Sequence, residues 1–176
     1  MGMEEFDLDS VTEEATVTDE EFRKVLGENA MRPSLKAYGE RDPACKEGLD
    51  YYLGRGTEQS YEKAFQIFSE LASEGNAEAE FHLAICYLNG YGVSESKEDA
   101  AELMRMSAEK DFPEAEFELG LMYYSGYGVD ESYELSERWL RMAWSHGLDR
   151  AKKDLIDKGM IEPVSDEEYA MLSIFS

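Results

Sequence analysis

Basic side chains are scarce in this chain: 17 Lys and Arg stand against 40 Asp and Glu over 176 residues, a formal net charge of -23. Nucleic acids and anionic membrane surfaces are bound through clustered Lys and Arg, so neither is an expected partner. The balance favours a basic partner through electrostatic steering, and it also confers solubility. No run of residues reaches the roughly 20 apolar positions of a membrane-spanning helix. The N-terminus shows no basic stretch followed by an apolar one, so no secretory signal is evident. Cysteine is limited to Cys45 and Cys86, which fall at different phases of the pattern described next, so a disulfide between them is not expected. A reduced, cytoplasmic protein is the simplest expectation.

What the chain does have is internal repetition. Ala79-Glu80-Phe81-His82-Leu83-Ala84-Ile85-Cys86-Tyr87-Leu88-Asn89-Gly90-Tyr91-Gly92-Val93 returns, lightly changed, from Ala115 to Val129, an offset of 36 residues. The same offset backwards reaches Gly48, Tyr51, Gly54 and Gly56. A period of this length marks a stacked helical array. Each unit divides into a helix A and a helix B. Helix A runs from about Ala77 to Asn89 in one copy and from about Pro113 to Ser125 in the next, each stopped by paired glycines. Helix B opens at Ser60, Ser96 and Ser132, where a serine hydroxyl can cap a free backbone N–H. It ends near Gly75, Asp111 and Gly147.

Residues 34–159 are expected to form this array, beginning with a half-unit at Ser34–Gly39 and closing with a fourth helix A that stops near Gly159. Residues 1–17 read as a disordered acidic tail. Thr18 with Glu21 opens a candidate N-terminal capping helix within residues 18–33, and Ser165 with Glu168 a C-terminal capping or docking helix within residues 160–176. Tyr169, Met171, Leu172, Ile174 and Phe175 would cap the last unit, plug the groove or dock elsewhere.

The pattern resembles the Sel1-like repeat, a relative of the tetratricopeptide repeat. Its units have an Ala-x-x-x-Leu-Gly-x-x-Tyr-x-x-Gly-x-Gly-Val half followed by Lys-Ala-x-x-Trp and Ala-Ala-x-x-Gly. Lys63, Ala64, Ala72 and Gly75 carry the second half in the first unit, and Trp139, Ala143 and Gly147 in the third. Glu47 stands where Leu is expected and Thr57 where Val is, so the first helix A should be looser. The resemblance implies an all-α fold, a short right-handed α/α superhelix, and a non-catalytic protein-binding role as adaptor or regulatory scaffold.

Helical spacing divides the apolar residues of helix A into two sets. Ala79, Leu83, Cys86 and Tyr87, with Ala115, Leu119, Met122 and Tyr123, are expected to meet the B helices. Leu49, Tyr52, Phe81, Ile85, Leu88, Phe117, Leu121 and Tyr124 point the other way. In tetratricopeptide-like stacks that side faces a concave groove. The resemblance thus implies a groove for a peptide or helix, one with basic flanks among the fitting ligands, rimmed by Glu78, Glu80, Glu114 and Glu116. Packing of helix A on helix A is the alternative use of the two phenylalanines.

Catalytic patterns are sparse. Ser60-Tyr61-Glu62-Lys63 fits Ser-x-x-Lys, but its companion motifs do not appear and Ser60 serves as a cap. The Gly-x-Gly segments lack the third glycine of a dinucleotide fold. His82, whose repeat equivalent is Glu118, reads as an exposed flank, and His146 falls in the last turn of a helix. Neither has a partner at metal-ligand spacing, so no metal and no other cofactor is expected. Tyr91 and Tyr127 are expected to pack over their loops. The alternatives to a binding module are a small hydrolase using groove carboxylates and a structural protein that self-associates through the array's ends.

Overall fold

The computed structural model describes residues 42–162, and all regular structure among them is helical. The elements are α1 Cys45–Leu53, α2 Tyr61–Ser73, α3 Ala77–Asn89, α4 Lys97–Ala108, α5 Pro113–Ser125, α6 Tyr133–Ser145 and α7 Asp149–Asp157. Odd-numbered helices are A helices and even-numbered ones are B helices. Each packs chiefly on the helices before and after it in sequence, the contact pattern of a stacked array. The acidic stretch 1–17, both capping boxes, the half-unit 34–39 and the apolar cluster at 169–175 lie outside the described residues.

Local chemistry sets the boundaries. Ser60, Ser96 and Ser132 each accept, through Oγ, the backbone N–H three residues on, at 3.3, 3.2 and 3.2 Å. The same serines donate their own N–H to the carbonyls of Tyr51, Tyr87 and Tyr123, at 3.0, 3.1 and 2.8 Å. The turn between helix A and helix B is therefore closed in the same way three times. Its second glycine is the demanding position. Gly92 and Gly128 have φ of +74° and +71° and lie against the opening turn of the preceding unit's B helix. A Cβ on Gly92 would come within 2.6 Å of the Tyr61 carbonyl oxygen, and one on Gly128 would collide with that of Lys97. Backbone meets backbone there, with no side chain able to yield.

The hydrophobic core lies on both sides of α3. One cluster joins Cys45, Leu49, Ala64, Phe68 and Ala72 to Ala79, Leu83 and Cys86. The other joins Phe81, Ala84, Ile85 and Leu88 to Ala100, Met104, Leu119 and Leu121, and continues to Leu140, Ala151 and Leu155. A helix enclosed this way needs apolar residues all round, which is why α3 and α5 are only weakly amphipathic. At the contact between helix A and helix B, residue sizes compensate: Gly48 faces Phe68, Gly120 faces Leu140, and the intervening unit carries Ala84 and Met104 at the same positions. The first A helix is short, 9 residues like α7, against 13 in α3 and α5. It bears the departure at Glu47, and the turn after it the one at Thr57.

Candidate functional site

The glutamates expected on an open rim are buried instead. Glu78, Glu80, Glu114 and Glu116 are 5, 0, 9 and 0% exposed. They occupy the first turns of α3 and α5, where a negative charge is favoured by the free N–H groups. Those turns are wedged against neighbouring elements. Glu80 pairs with Lys110, which reaches back from the turn after α4. One period on, Glu116 pairs with His146 at the C-terminal end of α6, whose Nδ1 lies 2.9 Å from both carboxylate oxygens. Both pairs span 30 residues, so they form a repeated clip between the start of an A helix and the end of its B helix.

Asp111 joins the second clip. It occupies the position of Gly75 and Gly147 in the other turns, with φ of +59°. Its carboxylate, that of Glu116 and a ring nitrogen of His146 lie within 4.8 Å of one another. Burial raises the Glu116 pKa above the usual carboxylate range; the His146 hydrogen bond and charge oppose that shift, while Asp111 and Glu114 add to it. No local spacing marks a ligand partner for His146, because its partners come from a turn and a helix start some 30 residues away. Only the matching 30-residue offset of Glu80 and Lys110 could have signalled it.

His82 is buried as well, 3% exposed, which corrects its placement on an exposed flank. Its ring stacks on Phe68 with centroids 4.9 Å apart, and its Nε2 stands 3.7 Å from Glu78. The other oxygen of Glu78 accepts the backbone N–H of Asp42 at 3.1 Å. Glu118, at the equivalent position of α5, is held by burial with its pKa raised to about 8. Arg150 opposes that shift from 3.5 Å, while Asp154 and Glu114 reinforce it. The Arg150 guanidinium also covers the Phe117 ring, 4.3 Å from its centroid.

Of the residues assigned to the groove, Leu49, Phe81, Ile85, Leu88, Phe117 and Leu121 are buried in the two clusters, while Tyr52 and Tyr124 are half-buried. Tyr52 meets Tyr61 and Tyr91 edge-on, and Tyr124 meets Tyr133. Tyr91 stacks on Tyr61 and Tyr127 lies under Lys97, so both loop tyrosines pack over the preceding B helix. A cavity of about 450 Å³ crosses the N-terminal ends of α1, α3 and α5, lined by Asp42, Asn76, Ala77, Glu78, Phe112 and Pro113. Asn76 shapes it by capping α3 through the Ala79 N–H and donating to Asp42.

The Sel1 repeat profile matches this chain three times in succession, at residues 48–76, 77–112 and 113–148. The chain belongs to the Sel1-repeat family. Its fold is similar to that of a Sel1 repeat protein from Oxalobacter formigenes, at 30% identity and a TM-score of 0.62, over 82% of this chain and 62% of that one. It is also similar to a protective antigen of uropathogenic Escherichia coli strains displaying an SLR fold, at 25% identity and a TM-score of 0.61, over 66% of this chain and 26% of that one. The chain thus spans less than two thirds of either protein's length. No curated protein matches it in sequence.

Sel1 repeats are generally protein-interaction scaffolds. In this Sel1 array the capping serines start the B helices, the paired glycines close the turns, and Gly92 and Gly128 also seat each unit on the one before. Among the described residues, no helix is long and apolar enough to cross a membrane.

Proposed function

We propose that this chain is a non-catalytic interaction module, an adaptor or regulatory scaffold that holds a basic peptide or helix of a protein partner along its A-helix side. The cavity across the ends of α1, α3 and α5 carries this reading. It sets the carboxylates of Asp42 and Glu78 beside the apolar surfaces of Phe112 and Pro113. A lysine or arginine suits such a lining, its methylene stem against the apolar wall and its charge toward the carboxylates. Tyr52 and Tyr124 offer half-buried aromatic edges beyond the cavity. Leu49, Phe81, Ile85, Leu88, Phe117 and Leu121 support that face from beneath, and Glu80, Glu114 and Glu116 add to its negative field. Glu118 has the raised pKa that a hydrolase would use, but it does not line the cavity and rests against Arg150. The free thiols of Cys45 and Cys86 support a reducing compartment, the cytoplasm.

Fluorescence anisotropy with Lys- and Arg-rich helical peptides, at low and high salt, tests this. The double variant Asp42→Asn with Glu78→Gln should keep its circular dichroism and bind at least about tenfold more weakly, the scale set by losing charge-assisted contacts. Tyr124→Ala should weaken the same peptides. Equal affinity in wild type and the double variant would remove the cavity as the site.

A further inference from the structure

The two glutamate clips are equivalent in position but not in charge. In the second unit Glu80 meets the ammonium of Lys110, and the turn residue is Gly75. One period later Glu116 meets an imidazole, and the turn residue is Asp111. The second unit balances one carboxylate with one permanent cation. The third presents two carboxylates to an imidazole in place of the ammonium. The third clip thus lacks the permanent cation that the fold holds at this place one unit earlier.

The donor set matches that shortage. We propose that Asp111, Glu116 and His146 bind a divalent first-row transition-metal ion of the zinc class. The three groups lie within 4.8 Å of one another, a spacing that a shared ion draws together by small side-chain rotations. Glu116 is wholly buried on the rigid first turn of α5, and His146 and Asp111 leave the site open to solvent. An imidazole with two carboxylates suits zinc, cobalt or nickel. Calcium and magnesium take oxygen ligands, and calcium needs six or more of them. With His146 ligating through Nδ1, two carboxylates and one divalent ion leave the clip balanced, as the lysine does one unit earlier. The ion would tie the turn before α5, the start of α5 and the end of α6 into one clip.

The test uses the full chain freed of metal with EDTA, titrated at pH 7.5 with Co²⁺ by visible absorption and with Zn²⁺ by competition. His146→Lys rebuilds the Glu80–Lys110 pair, and Asp111→Gly restores the turn residue of the other units, so both variants have a precedent for folding in this chain. Wild type should bind one equivalent of Co²⁺, broaden the His146 proton resonances, and gain roughly 5–10 °C in unfolding midpoint at a hundredfold excess of Zn²⁺ over its Kd. His146→Lys should retain the fold and lose at least about tenfold in affinity, with Asp111→Gly weakened in the same direction. Millimolar Mg²⁺ should leave the Co²⁺ spectrum in place. Equal binding by wild type and His146→Lys, or Co²⁺ displaced by Mg²⁺, would reduce the effect to general attraction by an acidic surface and overturn the assignment.

Discussion

Replacing Gly48 with alanine pits helix propensity against packing, and the structure says packing should win. Gly48 lies inside α1, where alanine is favoured over glycine by about 1 kcal/mol. Its new methyl would stand 2.5 Å from Cε1 and 2.9 Å from Cζ of Phe68. Carbon atoms settle at roughly 3.5–4.0 Å, so the ring would have to retreat by about 1 Å. Phe68 is fully buried, and crowding of this kind costs about 1–3 kcal/mol. The net expectation is a loss of about 1 kcal/mol. The array itself contains the remedy, since Ala84 and Met104 occupy the equivalent positions one unit later. Gly48→Ala combined with Phe68→Met should therefore be more stable than the sum of the two single losses, with a coupling of at least about 1 kcal/mol. Urea unfolding of wild type, both singles and the double, followed by circular dichroism, measures this. The reasoning fails if Gly48→Ala matches or exceeds wild type, or if the two changes simply add.

Other outcomes follow from the same structure. Ser96→Ala removes the cap on Asp99 N–H and should lower unfolding stability by about 1 kcal/mol. Glu118 releases its proton at about 8 in the fold and at an ordinary 4.5 otherwise, so the folded state binds the extra proton between those values and stability falls as pH rises through that window. At pH 7 the deficit is about 3 kcal/mol, so Glu118→Gln should stabilise the chain by up to that amount in EDTA, while matching wild type near pH 4. Thermal melts across pH 4–9 that run parallel for the two proteins would contradict this. Cys45 and Cys86 are buried with their thiols pushed up to about 12, so a disulfide-exchange reagent at pH 7.5 should label neither until denaturant is added.

Much of the fold was legible because the repeat states each rule more than once. The bounds of α3 and α5 and the three serine caps could be read from glycines and serines recurring in phase. The burial of the second apolar set was harder to read. Phe81, Ile85 and Leu88 point away from Ala79 and Leu83, as helical spacing requires, yet that direction leads into a second core cluster. Periodicity reports direction around a helix and not what lies in that direction. The glutamates misled for a related reason: their charge suggested solvent, while Lys110, His146 and the Asp42 backbone stand ready to receive them. Those partners lie about 30 residues away or on another unit, beyond any local motif.

The close approach of Gly92 to Tyr61 and of Gly128 to Lys97 has a consequence for how such a chain can change length. Each contact fixes the distance from a loop to the helix of the unit before it, like a tooth meeting its notch. One residue added to that loop displaces the glycine from its seat and puts every later unit out of step. Length can change safely only by whole teeth, 36 residues at a time.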